Sequence, residues 1–202
     1  MDAVHHRAKP LPPDDRRRAI IDAVTPLLLE KGTAVTSREM AEAAGIAEGT
    51  IFRVFPDKRS VIIAAIKATM DPEPISEALG AIPTENPLER QLEAAADVLL
   101  DRSARVAALI GALRTAGSTG GKKPAGAQRV VAESNAAVLD SLTELFDRHA
   151  DRLRVAPARA AFAFRGFIFA NAHPMLTAQE RPDASEIVDL VLRGVLDAEH
   201  SS

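Results

Sequence analysis

The chain reads as all-α. Three observations carry that reading. Apolar residues recur at spacings of three and four along most of its 202 residues. No stretch of strand length alternates apolar with polar residues. Glycine and proline fall where such helices would stop, at Gly32, Gly45 and Pro56. The expected organisation is a polar arm over 1–13, a three-helix domain over 14–70 and a larger helical domain over 71–202.

The first helix is expected from Asp14 to Lys31, with Ile20, Val24, Leu27 and Leu28 on its apolar face and Gly32 as its stop. Pro26 lies inside that pattern, lacks an amide hydrogen and crowds the preceding turn, so a kink is expected there. The second helix starts at Thr36. Thr36 and Glu39 have the T-x-x-E spacing of a capping box, in which each side chain takes the other's backbone amide. Gly45 ends it in a left-handed turn. The third helix spans about Glu48 to Val54 and is stopped by Pro56. Asp57 then caps a fourth helix carrying Val61, Ile62, Ala65, Ile66 and Met70.

Pro72, Pro74, Pro83 and Pro87 punctuate the next segment, which reads as a domain boundary with a helical turn at 75–79. Helices are expected at about 87–102 and 103–116, then a glycine-rich loop over 117–126. Further helices follow at about 127–150, 157–172 and 184–198.

Composition excludes several classes of protein. Hydrophobic residues make up 47% and charged residues 26%, the balance of a chain that folds around a core rather than staying disordered. There is no cysteine, so disulfides and thiolate metal sites are ruled out. His5 and His6 have no third ligand near them, and no metal or other cofactor is expected. No apolar run is long enough to span a membrane and the first residues hold no apolar signal core, which points to a cytoplasmic protein. No P-loop, nucleophile elbow or Glu-x-x-His pair is present, and the acids beside His149 face other sides of its helix. No catalytic residue is expected. Net charge is −3, but residues 1–67 hold 11 Lys and Arg against 9 Asp and Glu, so the N-terminal part is the more basic.

The second and third helices, joined by a glycine turn, have the form of a helix-turn-helix, whose second helix enters the DNA major groove. Small and polar residues are needed where that helix meets the bases. Glu48, Gly49, Thr50 and Arg53 fit: Gly49 allows close approach, Thr50 can bond a phosphate or offer its methyl to thymine, and Arg53 can fork onto guanine. Thr36, Ser37 and Arg38 open the second helix, where exposed amides and hydroxyls hold a phosphate. Lys58 opens the fourth helix within reach of the DNA backbone. Arg7, Lys9 and the run Arg16, Arg17, Arg18 are further cations for phosphates. Ile46, Ile51 and Phe55 are expected inside.

The stretch GIAEGTIFRVFPDKRSVI resembles the signature of TetR-family transcriptional regulators. The close resemblance covers residues 14–67; beyond them it extends only to length and helix order. It implies a homodimer that represses a promoter and lets go when a small molecule binds. By motif position it implies Thr36, Gly49, Thr50, Phe52, Arg53 and Lys58 as the DNA-facing set. The chain departs from the pattern in three places. Ala47 stands where serine is common, a lost cap of about 1 kcal/mol. Phe52 replaces a tyrosine and Val54 a histidine or tyrosine, so two phosphate contacts are missing. Glu48 adds a negative charge at the groove.

The segment 157–172 is apolar almost all round, and such a helix must be covered on every side. Pairing it with 184–198 from two copies would make a four-helix dimer interface. Polar residues within the apolar patterns, with leucines and phenylalanines beside them, mark an effector pocket: Leu99, Arg102, Leu113, Arg114, Phe146, His149, Phe162, Arg165 and Phe169, with Asn171 and His173 as further options. With neither Tyr nor Trp in the chain, the effector is expected to be small and largely apolar. A second reading is a helical carrier of a lipophilic ligand that does not recognise DNA.

Overall fold

The computed structural model describes residues 12–116, 127–172 and 182–195. Among them the secondary structure is helical: α1 Pro13–Lys31, α2 Ser37–Ala43, α3 Glu48–Val54, α4 Lys58–Thr69, α5 Pro72–Gly80, α6 Leu88–Thr115, α7 Ala127–Asp147, α8 Pro157–Ala172 and α9 Ala184–Val195. Short 3-10 turns lie at Gly32–Ala34 and Ala150–Arg152. The described residues form two compact units. One ends at Ala65 and regains the chain from Gly111; the other begins at Ile66 and includes the helices that follow, except the last turn of α6.

The first unit holds α1 to α3 and most of α4. Ile20, Ile21, Val24, Leu28, Met40, Ile51, Phe55, Val61 and Ile62 are buried in it. Its turns are fixed by local chemistry. Thr36 caps α2 with both halves of the capping box in place: its hydroxyl accepts from the Glu39 amide at 3.2 Å, and the Glu39 carboxylate accepts from the Thr36 amide at 2.8 Å. At the other end of α2, Ile46 N–H donates to Ala41 O and Gly45 N–H to Glu42 O. That is the paired bonding of a Schellman ending, and it requires the left-handed residue that Gly45 supplies at φ 62°. Before α4, the Asp57 carboxylate accepts from Ser60 N–H at 2.6 Å. Helix α1 continues through Pro26 to Lys31.

The second unit has one core. Leu88, Leu92, Ala95 and Leu99 of α6 meet Val138, Leu142, Leu145 and Phe146 of α7, Ala160, Phe164 and Ile168 of α8, and Ile187, Val188 and Val191 of α9. The rings of Phe146 and Phe164 meet edge to face, 6.1 Å between centroids.

Three sequence expectations are corrected. The segments 87–102 and 103–116 form one 28-residue helix, because Arg102, Ser103 and Ala104 offer no breaker between them. The segment after residue 70, expected to hold a helical turn at 75–79, contains the longer helix α5, which the Asp71 side chain caps by accepting from Glu73 N–H, with Pro72 at its first position and Ile75 and Leu79 buried. Helix α7 ends at Asp147 and gives way to the 3-10 turn instead of running to 150. Residues 196–198 of the last expected helix and the loop 117–126 lie outside the described residues.

Glu39 carries the start of α2. Its hydrogen bond with Lys31 at 2.9 Å, together with the Thr36 amide and hydroxyl, holds its carboxyl down to about 2 from an ordinary 4.5. A carboxyl depressed by folding contributes stability above its ordinary pKa and loses it as pH falls toward the folded value. The melting temperature of the wild-type chain should therefore drop further between pH 4.5 and pH 2 than that of Glu39→Gln. The two curves, parallel above pH 5.5 or so, should converge on acidification. The site is exposed, so the difference will be small and damped by salt.

Candidate nucleic-acid interface

Helix α3 is only seven residues long, and its two faces divide cleanly. Ile51 and the following Phe55 are buried, and Thr50 and Val54 are half-buried. Glu48, Gly49, Phe52 and Arg53 point outward. At 46% exposure, Phe52 is a large aromatic ring that packing does not use. Ala47 makes no side-chain cap, as its lack of a hydroxyl dictates. Gly49 has ordinary helical backbone, and a Cβ there would meet nothing within 4 Å. Glycine in a helix costs about 1 kcal/mol relative to alanine. The chain's own fold therefore gives no reason for glycine at 49.

What aims α3 was not legible as such. Arg17 of α1 donates from Nη1 to the carbonyl of Val54 at 3.1 Å, the last residue of α3. Its guanidinium also lies over the Phe55 ring, 4.2 Å from the centroid. One side chain thus closes the C-terminal end of α3 and covers its anchoring aromatic. Arg17, expected among the cations for phosphates, thus has one nitrogen bonded within the unit. Lys58 is also engaged within the unit. Its ammonium donates to the carbonyls of Thr33 and Val35 and pins the turn before α2. A cation at this spacing satisfies carbonyls that a 3-10 turn leaves open. The sequence signal was the same charge that suggested DNA.

The remaining expected contacts lie on the surface of the first unit. Thr36 is exposed and Ser37 half-buried. Arg38 is exposed and bridges Glu42 at 2.9 Å, one turn along α2. Arg53 is exposed and Arg18 is exposed on α1. Arg7 and Lys9 lie outside the described residues.

The nine effector candidates are divided between the two units. Leu113 and Arg114 belong to the first unit, the other seven to the second. Leu99 and Phe146 are core residues, and Phe162 and Phe169 are each 62% exposed on α8. Arg165 donates to Asn135 at 3.1 Å, and Arg102 bonds Thr69 and Ser134. His149 has its Nε2 3.3 Å from the amide nitrogen of buried Gln91, which also donates to Thr84 O and Asn86 O. Burial, and then Arg152 and Arg148, push the His149 pKa down, which favours the neutral ring. Two grooves lie elsewhere in the second unit. One of about 340 Å³ between α5 and α7 is lined by Ser76, Asp140, Ser141, Glu144 and Arg148 among others. The other, about 290 Å³, lies beside Leu100, Ala104 and Asn171. His173 is outside the described residues. Among the described residues no group of His, Asp and Glu is placed to hold a metal, and no helix is long and apolar enough to cross a membrane.

A capped short helix, a glycine turn and a second short helix with its outer face free define a helix-turn-helix protein. Residues 20–65 match the family model described as bacterial regulatory proteins, tetR family. Over those residues the chain is similar to the regulators of that family. It is 38% identical over 77 residues to the HTH-type transcriptional repressor KstR of Rhodococcus jostii (strain RHA1), a match that covers 38% of this chain and 35% of KstR. Two solved structures share the fold across nearly the whole chain. The TetR transcriptional regulator SCO0520 of Streptomyces coelicolor is 23% identical with TM-score 0.56, covering 90% of this chain and 99% of its own. SmeT, the repressor of the Stenotrophomonas maltophilia multidrug efflux pump SmeDEF, is 18% identical with TM-score 0.54, covering 90% of this chain and 91% of its own.

The internal role of Lys58 has a measurable signature. Lys58→Met should lower stability by about 2 kcal/mol, the loss expected for charge-assisted bonds to carbonyls. It should leave the salt slope of DNA binding unchanged, whereas removing a phosphate contact lowers that slope by about 1. A drop in slope with an unchanged melting temperature would return Lys58 to the DNA.

Proposed function

We propose that this chain is a DNA-binding transcriptional repressor that works as a homodimer in the cytoplasm and leaves its operator when a small, largely apolar effector binds the helical body. The observation that carries the reading is the outer face of α3, where Glu48, Gly49, Phe52 and Arg53 stand clear of the fold. In this reading Arg53 reads a base edge or holds a phosphate, and Thr36, Ser37 and Arg38 meet the backbone at the start of α2. Thr50 contributes from the side of α3. The ring of Phe52 lies against sugar or a thymine methyl, since it has no hydroxyl for a phosphate. The unexplained glycine at 49 supports close approach of a duplex. The 38% identity to the repressor KstR over 77 residues supports repression as the outcome.

The dimer is supported by α8 and α9. Phe162, Phe167 and Phe169 on α8 and Leu190 on α9 are between 42% and 62% exposed. Apolar surface of that kind, gathered on neighbouring helices, marks an association surface. Two copies joined there would present two α3 helices to half-sites about 34–36 Å apart.

Selecting bound fragments from a genomic DNA pool at fixed salt tests the reading, and recovery of a palindromic site is the expected result. Gly49→Ala should raise thermal stability by up to about 1 kcal/mol and at the same time weaken binding to that site. A gain in stability with full affinity would remove Gly49 from the interface. The pair Phe162→Glu with Phe169→Glu should give monomers in sedimentation, with unchanged helix content by circular dichroism. A dimer surviving both changes would move the interface elsewhere.

A further inference from the structure

The guanidinium of Arg102 is half-buried in the middle of α6. Its Nε donates to the carbonyl of Thr69, the last residue of α4, at 3.1 Å, and its Nη2 donates to the hydroxyl of Ser134 on α7. Ser134 has no exposed surface. Both partners are neutral. Among the described residues no carboxylate pairs with Arg102, and the adjacent Asp101 is held by Arg105 at 2.9 Å. Burial alone acts on this group, pushing its pKa down, and no nearby charge offsets it. A helix end offers only about half a negative charge. The cation is therefore partly dehydrated and partly compensated, and a guanidinium in that condition favours a fully charged, planar acceptor. Around it the helical spacing places apolar residues, of which Leu99, Leu109 and Val138 are buried. Leu99, Val106 and Leu109 share its face of α6, and Val131 and Val138 flank Ser134 on α7.

We propose that Arg102 and Ser134 form the head-group site for an acid, a carboxylate carried on an apolar tail, and that this ligand takes the guanidinium from the end of α4. Such a ligand would form two parallel bonds with the fork, with the Ser134 hydroxyl donating a third. The Thr69 carbonyl would lose the Arg102 donor, and a negative charge would stand at the negative end of α4, where it is unfavourable. The same event that holds the ligand thus loosens the last turn of α4, the helix whose first turn follows the DNA reader in the chain. This deepens the repressor reading by naming the effector's chemistry, and it rests on that reading for its consequence only.

The test uses the full chain without DNA and two probes of equal length, octanoate and 1-octanol, in calorimetric titrations. Octanoate should bind about tenfold or more tightly than the alcohol, the factor expected from one charge-assisted bond pair. In Arg102→Met the ratio should fall to about one, and in Arg102→Lys, which keeps charge but not the fork, to an intermediate value. Absence of octanoate binding, equal binding of both probes, or an unchanged ratio in Arg102→Met overturns the proposal. If Arg102→Met does not fold, hydrogen exchange on the wild type decides. Octanoate, and not octanol, should speed exchange of the amides at 69–71, and indifference there overturns it. Failure to select any DNA, with the Arg102-dependent ratio intact, would sink the repressor reading and leave this site standing.

Discussion

The reading head depends on one contact set: Phe55, fully buried, with Arg17 laid over its ring and bonded to the carbonyl of Val54. Burying a phenylalanine side chain contributes about 1.5–3 kcal/mol. Its larger effect is geometric. A seven-residue helix cannot hold itself in water, because nucleation of so short a helix is unfavourable. Helix α3 exists because Ile51 and Phe55 pin one face and Arg17 closes its end. Its opposite face is thereby fixed outward, in a single orientation, before any partner arrives.

The other end of α3 is set by backbone rather than by packing. The Schellman ending of α2 places Gly45 in a conformation that costs other residues about 1–2 kcal/mol, so the angle between α2 and α3 is written into one residue. Lys58 and Glu39 tie down the preceding turn from two sides, one through carbonyls and one through the amide and hydroxyl of Thr36. Much of the charge in this unit is therefore spent on shape. The exposed cation that remains on the outer face of α3 is Arg53.

Local signals were legible where they act locally. The capping box, the left-handed glycine and the bounds of α3 could be read from residues within a few positions of one another. The all-α class and the bounds of α8 followed from periodicity and from Pro157. What could not be read was direction. That Arg17 and Lys58 bond carbonyls 37 and 25 residues away could not be read, because charge type does not say which way a long side chain turns. The split of α6 was an error of another kind, since a long apolar pattern without Gly or Pro carries no stop. The effector candidates were chosen by polarity within apolar runs, which selects rim, core and latch residues alike. Only geometry separates Arg102, on a helix end, from Arg165, on an asparagine.

The phenylalanines on the outside of α8 carry a consequence for how such a regulator would behave in a cell. If only a second copy hides them, the number of assembled pairs grows with the square of the number of chains while chains are scarce. A modest change in synthesis then becomes a steeper change in occupied promoter, and the threshold of the switch is set by how hydrophobic that helix is.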